Sequence, residues 1–482
     1  MKNQPTIVWF RQDLRLDDNP ALLAAIERGG PVIPVYIWSP REESRWSPGG
    51  AGRWWLHHSL VALDKQLRRI GSHLVVRKGN TLTNIKELVR ETGANAVFWN
   101  RCYEPDVMKR DRRIENALEK PGMVVRAFNG SLLYEPWNIL NKQGKPFRVF
   151  TAFWKTCLSL DEPEKPCSPP SSLPAVKKRL KSLLPKDLVL LPRLDWAAGI
   201  RSTWKVDEQF AREQLSAFIK EHLSEYQSDR DRPDLMGTSR MSPYLHWGQI
   251  SPRRIWYMIA QKIKNKRGTK FRSSAHAYLR QLGWREFAYH LLYHYPHTTE
   301  RPLYEAFSNF PWARNMRALR AWQRGRTGYP MVDAGMRELW HTGWMHNRVR
   351  MIVASFLVKH LLIPWQEGAK WFWDTLVDAD LANNTLGWQW SAGCGADAAP
   401  YFRIFNPVTQ GYKFDPEGDY VRQWIPEIGK LPNKLIHEPW TADSASLADA
   451  GVKLGRTYPR PIIDHADARE RALAAYQRIK KN

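Results

Sequence analysis

A chain of 482 residues is too long for one hydrophobic core, so two or three domains are expected, and 43% hydrophobic residues suffice to fill them. The 73 Lys and Arg exceed the 48 Asp and Glu, and the formal charge of +25 points to a polyanionic partner, most simply nucleic acid, with a scattered basic surface as the alternative. Four cysteines without a CxxC pair argue against a disulfide framework or a zinc site, and neither a signal-peptide core nor an apolar run long enough to span a membrane is found. A soluble cytoplasmic protein without a metal site is the expectation.

The first strand candidate is TIVWF at 6–10, followed by further β-rich runs at 32–38, 74–77, 96–99 and 124–128. Asn19 before Pro20 forms an N-cap and first-turn pair for the first helix, and helical patterns cover 54–69, 82–91 and 106–119. This alternation predicts a Rossmann-like α/β domain with a parallel sheet, over 1–131. Ligands of such sheets sit at the carboxyl ends of the strands. Neither GxGxxG nor GxxxxGK[ST] occurs, which argues against a conventional dinucleotide or nucleoside-triphosphate site. The polar loop Asn100-Arg101-Cys102-Tyr103-Glu104 is the place for a small ligand.

Residues 132–205 include DEPEKPCSPPSSLPAV and the basic Lys177, Lys178, Arg179 and Lys181, and read as an interdomain connector. Over 206–482 the β pattern disappears. Helical segments are expected at 208–226, 243–264, 274–295, 318–323 and 467–479, with packed helices through 327–405 and no internal repeat. This second domain reads as all-α.

In 327–405 the apolar residues Met336, Leu339, Trp340, Val349, Ile352, Val353, Phe356 and Leu357 recur at helical spacing. Asn347, Arg348, Arg350, Asp378, Asp380, Asn383 and Asn384 interrupt them. Singly, each reads as a satisfied core polar group; together they favour an internal ion pair or a polar ligand. The 24 Trp, interleaved with Arg, suit stacking on bases or on a planar cofactor. Thr238, Ser239 and Ser242, with Arg240, read either as a helix-capping segment or as a phosphate cradle.

GTSRMSPYLHWGQISPRR (237–254), WREF (284–287), TGYPMVDAGMR, GWMHNRVRM, DADLANNTLGWQW and DAAPYFRIFNP follow in order, and with them the chain resembles the photolyase/cryptochrome family over nearly its whole length. RWWLHHSL (53–60) and LGWREF look most like class III cyclobutane pyrimidine dimer photolyases, the branch near plant cryptochromes. The resemblance implies an antenna-binding domain over 1–131, a connector over 132–205 and a helical FAD- and DNA-binding domain over 206–482.

By the same resemblance, FAD is held by Tyr226, Thr238, Ser239, Met241, Ser242, Gln281, Arg285, Trp344, Asn347, Arg350, Asp378, Asp380 and Asn384. Arg350 and Asp378 look like the family's ion pair over the flavin, and Asn384 matches the position facing flavin N5, where plant cryptochromes usually place Asp. An amide there favours a fully reduced working flavin. Trp388, Trp365 and Trp312 match the electron-transfer chain, with Trp371 and Trp373 as a branch, and packing in the core is compatible with that role.

Gln281, Trp284, Arg230, Asn347, Arg348, Met351, Trp390 and Arg403 match lesion- and DNA-contacting positions, with Trp284 and Trp390 stacking on the flipped dimer. Gln281 departs from the Glu found in many dimer photolyases; it donates a hydrogen bond but transfers no proton. (6-4) photolyases often carry Gln there, yet they need a histidine pair, where this chain has His346 and then Asn347 and Met351. Relatives of class III use 5,10-methenyltetrahydrofolate as antenna, and Glu104 is its expected contact.

The expectation is therefore light-driven repair of cyclobutane dimers in UV-damaged DNA by a monomer, nucleoid-associated when bound. A blue-light photoreceptor is the rival. Both pocket tryptophans, Asn384 and the short C-terminal stretch after the last motif speak for repair.

Overall fold

The computed structural model describes residues 4–119, 122–265, 268–398 and 402–480; Ala399, Pro400 and Tyr401 of the DAAPYFRIFNP motif lie outside them. Five parallel strands, β1 (Thr6–Phe10), β2 (Val32–Trp38), β3 (Val75–Lys78), β4 (Ala96–Asn100) and β5 (Val124–Phe128), form one sheet in the order β3-β2-β1-β4-β5. β1, β2 and β4 are buried along their whole length, as their near-continuous apolar sequences require, whereas β5 at the edge is partly exposed. The helices α1 (Pro20–Glu27), α2 (Gly50–Arg69), α3 (Thr81–Thr92) and α4 (Pro105–Glu119) alternate with these strands. Ile85 and Leu88 of α3 and Ile114 and Leu118 of α4 join Ile7, Trp9, Val35 and Trp99 in one core.

The later helices are α5 (Phe150–Cys157), α6 (Ala198–Thr203), α7 (Glu208–Glu221), α8 (Tyr226–Asp229), α9 (Ser242–His246), α10 (Pro252–Asn265) and α11 (Thr269–His294). They are followed by α12 (Met316–Gln323), α13 (Pro330–Thr342), α14 (Asn347–Ser355), α15 (Trp365–Thr375), α16 (Leu381–Ala392), α17 (Pro407–Phe414), α18 (Asp419–Trp424), α19 (Asn433–Ile436), α20 (Ser444–Asp449) and α21 (His465–Lys480). The chain divides into two compact units: Met1–Ser224 with Ser239–Pro296 and Val377–Ala382, and Glu225–Thr238 with His297–Leu376 and Asn383–Asn482. The first thus takes in α5, α6, α7, α9, α10 and α11, beyond the α/β limit read from sequence. Packing of α11 on α5 within that unit explains the grouping.

Some expectations need correction. The helix expected at 243–264 is broken between α9 and α10, where Gly248 takes φ +72° and a Cβ would stand 2.1 Å from the Gln12 carbonyl oxygen, so only glycine fits. The helix expected at 208–226 stops at Glu221 and gives way to a 3-10 turn before α8. The connector carries α5 and α6, and its backbone binds the α/β part: Val32 N donates to Pro174 O (2.7 Å) and Leu183 N to Val76 O (2.9 Å). Trp340, expected in the core stripe, is 58% exposed and stacks on Trp371. Of the seven polar residues in the central stretch only Asp378 and Asp380 are buried, whereas Asn347 and Asn383 are exposed.

Asn100 at the end of β4 fixes the carboxyl edge of the sheet. Its Nδ2 donates to Asp13 Oδ2 (2.6 Å) and to the capping oxygen of Asn19 (2.8 Å), and its Oδ1 accepts from Ala21 N (3.2 Å). Gly130 admits the side chain, because a Cβ there would lie 2.6 Å from Asn100 Cγ. Asn100→Ala strands these buried partners, and the expected loss is about 1–3 kcal/mol of unfolding free energy, read as a lower urea midpoint at unchanged slope.

Candidate functional site

In the first unit, α11 acts as a ruler. Gln281, Arg285 and Tyr289 recur at i, i+4 and i+8 and therefore share a face. The Tyr289 hydroxyl donates to Asp380 Oδ2, His246 Nδ1 stands 3.6 Å from the same oxygen, and the Arg285 guanidinium lies 4.8 Å over the Tyr289 ring. Burial would raise the Asp380 carboxyl, yet His246, Arg285 and Tyr289 outweigh it and hold that carboxyl well below the usual carboxylate range. Arg285 Nη1 also donates to Ser131 O (2.7 Å). The result is an ionised carboxylate, a fixed cation and a hydroxyl donor in one place.

Ser239 is buried; its Oγ accepts from the Tyr278 hydroxyl (2.7 Å) and its carbonyl from Gln214 Nε2 (2.8 Å). The next residue, Arg240, holds φ +53°, a left-handed conformation that a non-glycine residue keeps only under constraint from its surroundings. Met241 is buried, and Ser242 opens α9 with its side chain exposed. Half-buried Trp284 stacks on Phe150 at 3.7 Å between ring centroids and 8° between planes. Gln281 uses its amide on the Ala277 carbonyl (3.2 Å).

Glu104 accepts from Gln12 Nε2 (2.9 Å) through Oε1, while its Oε2 is buried without a hydrogen-bond partner among the described residues. An acceptor of this kind suits an N–H of a small molecule. A separate cavity of about 390 Å³ in the same unit is lined by Trp54, His58, Lys65, Gln66, Arg201 and Trp204, among others. It combines aromatic faces with cations.

In the second unit, Trp344 is buried beneath Arg350, whose guanidinium lies 5.8 Å from the ring centroid and whose Nε donates to Met345 O (2.8 Å). Tyr226 is buried, with Arg230 5.8 Å over its ring; Thr238 and Met351 are half-buried. Asp231 serves two arginines: Arg348 Nη2 at 2.9 Å and Arg230 Nε at 3.8 Å. Arg348 also lies 4.3 Å over the Phe414 ring.

Trp388 and Trp390 leave α16 on different faces. Trp388 is 2% exposed and packs edge-on against Phe372 (5.0 Å) and Trp322 (6.2 Å). Asn384 on the same helix is half-buried and donates to Ala369 O (3.1 Å). Trp365 is buried, and half-buried Trp312 lies against Phe310 at 4.4 Å. Trp390 is half-buried with Nε1 bonded to Asp397 O (3.1 Å), and Arg403 is exposed.

His246, Tyr289, Asp231, Trp322 and Lys359 were not singled out from sequence. Lys359 alone left a signal, a cation inside the apolar run SFLVKHLL. The others act through partners far away in sequence. Among the described residues no cluster of His, Cys, Asp or Glu is arranged to hold a metal.

Two family profiles match: "DNA photolyase" over residues 6–171 and "FAD binding domain of DNA photolyase" over 278–478. The deoxyribodipyrimidine photo-lyase of Agrobacterium fabrum is 50% identical, with 100% of this chain and 99% of that protein covered. Cryptochrome-1 of Arabidopsis thaliana is 41% identical over 98% of this chain and 70% of its own length. The crystal structure of a bacterial class III photolyase from Agrobacterium tumefaciens superposes with a TM-score of 0.96 at 49% identity, covering 100% of this chain and 99% of that one. With its parallel α/β domain, its helical FAD-binding region and full-length relatives of this similarity, the chain belongs to the photolyase/cryptochrome family.

Proposed function

We propose that this chain is a deoxyribodipyrimidine photo-lyase that splits cyclobutane pyrimidine dimers in UV-damaged DNA under blue light. The observation that carries the reading is that two half-buried tryptophans, each within its own unit, have their indoles held in place. Trp284 is braced on one face by Phe150 and Trp390 is anchored through Nε1, so each indole is held ready to stack on an extruded base.

The donor set suits FAD. Ser239 Oγ accepts from Tyr278 and keeps its own hydrogen to donate, so with Thr238 and Ser242 it fits phosphate oxygens. The ionised Asp380 beside Arg285 fits the polar edge of a flavin. Tyr226, Met241, Gln281, Trp344, Asn347, Arg350, Asp378 and Asn384 complete the proposed cofactor contacts. When bound, reduced FAD supplies light absorption and reversible one-electron donation.

The chain's own residues then bind, orient and exclude water. Trp284 and Trp390 stack on the extruded dimer, and extrusion is least costly at a damaged step, where pairing and stacking are already weak. Gln281 can offer an amide hydrogen to a pyrimidine carbonyl as negative charge develops, without transferring a proton. Arg230, Arg348 and Arg403 meet backbone phosphates, with Asn347 and Met351 beside the lesion. Two carbon–carbon bonds of the cyclobutane ring open and the electron is returned, so the reaction has no net redox change. Trp388, Trp365 and Trp312 carry electrons inward when the cofactor must be reduced.

In this reading, residues 1–131 hold an antenna of the methenyltetrahydrofolate class, residues 132–205 connect and residues 206–482 carry FAD and DNA. Glu104, whose Oε2 has no hydrogen-bond partner among the described residues, and the aromatic cavity at Trp54 and Trp204 both suit a planar antenna. The working form is a cytoplasmic monomer that associates with the nucleoid when bound to DNA.

Purified reduced protein with UV-irradiated DNA should remove cyclobutane dimers in blue light, not in darkness, and leave (6-4) products. Persistence of dimers while the flavin photoreduces normally would instead favour a photoreceptor. Trp388→Phe should slow photoreduction of oxidised protein by about tenfold or more while chemically reduced protein still repairs, measured by flavin absorbance and dimer loss in parallel. Arg348→Ala should weaken binding to damaged and undamaged duplex alike and reduce the slope of log K against log salt by about one.

A further inference from the structure

α14 runs into a single π-helical turn, Phe356–His360, in which every side chain is buried, Lys359 and His360 included. A π turn inserts an extra residue and so rotates the side chains that follow, which turns a cation towards the interior. Lys359 is 1% exposed and makes no ion pair among the described residues. Its Nζ donates to Ala392 O (3.0 Å) and stands 3.0 Å from the centroid of the Phe402 ring. Burial pushes the amine well below its ordinary pKa.

A buried amine without a carboxylate is costly, and an apolar side chain of the same length would fill the space at less expense. Its one hydrogen-bonded partner among the described residues, Ala392 O, indicates what it does. Ala392 is the last residue of α16, and Gly393 ends that helix at φ +85°, where a Cβ would lie 3.4 Å from Lys359 Nζ. An amine on a terminal carbonyl satisfies an acceptor that the helix itself leaves open. From another side, Gln389 Nε2 donates to Thr298 O (2.7 Å) and Arg301 O (2.8 Å), and Gln389 O accepts from Gly393 N (3.0 Å).

The turn so held carries Trp390. A cavity of about 20 Å³ is lined by Lys359, Ser355, Trp390 and Arg403, among others, so the lysine and the indole border the same small space. Trp388, two residues earlier, is fixed independently by Gly368, where a Cβ would meet its Cη2 at 2.0 Å, and by Phe372 and Trp322. Loss of the amine therefore loosens one tryptophan and spares the other.

We propose that Lys359 is a positioning residue for Trp390: its buried amine fixes the last turn of α16 and with it the indole that stacks on the extruded dimer. The proposal rests on the reading of Trp390 as a lesion contact. The test is a double-mutant cycle on the FAD-loaded full chain with Lys359→Met, Trp390→Ala and both, using an oligonucleotide with one cyclobutane thymine dimer and its undamaged counterpart. Lys359→Met should lower the ratio of the two affinities about tenfold, since small misplacements of a contact group carry losses of this size or larger. Flavin content and photoreduction rate should stay within about twofold, and in the Trp390→Ala background Lys359→Met should cause no further loss. If Lys359→Met accumulates poorly, Lys359→Gln carries the same cycle. An unchanged ratio, or losses that multiply across the cycle, overturns the proposal. A ratio unaffected by Trp390→Ala overturns the reading on which it rests.

Discussion

An ionised carboxylate deep inside protein persists only if enough donors and positive charge surround it, and Asp380 meets that condition through Tyr289, His246 and Arg285. The requirement organises the first unit around α11. Arg285 and Tyr289 must share a face of that helix, His246 must arrive from α9, and the segment 377–382 must stay in place. Trp247 helps with the last, since its Nε1 donates to Val377 O (2.9 Å). Gln281 and Trp284 on the same helix are positioned as a consequence.

A second constraint lies in α16. Residues two apart on an α-helix point about 200° away from each other. Trp388 accordingly faces a buried interior made possible by the bare Cα of Gly368, while Trp390 faces the turn secured by Gln389 and Lys359. In the proposed reading, one helix keeps electron supply and lesion contact on separate sides. Asp231 plays a comparable part in the same unit, holding Arg230 and Arg348 on one carboxylate, and in the proposed reading it thereby fixes both for the DNA backbone.

The α/β part was legible in the sequence because each central strand must be apolar on both faces, which sets it apart from its amphipathic neighbours. Asn19 and Pro20 marked a helix start that the structure keeps, with Asn19 capping Leu22 N. The helix expected at 243–264 failed at Gly248, whose need for a positive φ arises from the close approach of the Gln12 backbone and not from local pattern. Trp340 followed the helical period yet lies outside, since periodicity identifies a face and not what covers it. The long motifs pointed to the family and to the residues proposed for FAD and DNA. Hidden from sequence were Asp231 and Tyr289, whose importance lies in contacts with residues 117 and 91 positions away, while Lys359 showed only as a cation in an apolar run and its partner lies 33 positions on.

The central claim is repair in which an electron is lent and returned. It is tested most directly by a single saturating flash on the reduced, FAD-loaded protein bound to an oligonucleotide with one cyclobutane dimer, with dimers split and flavin oxidised counted in the same sample. The account predicts split dimers with the flavin still reduced after the flash. Oxidation of one flavin for each dimer split, or a flash that leaves every dimer intact, would contradict it.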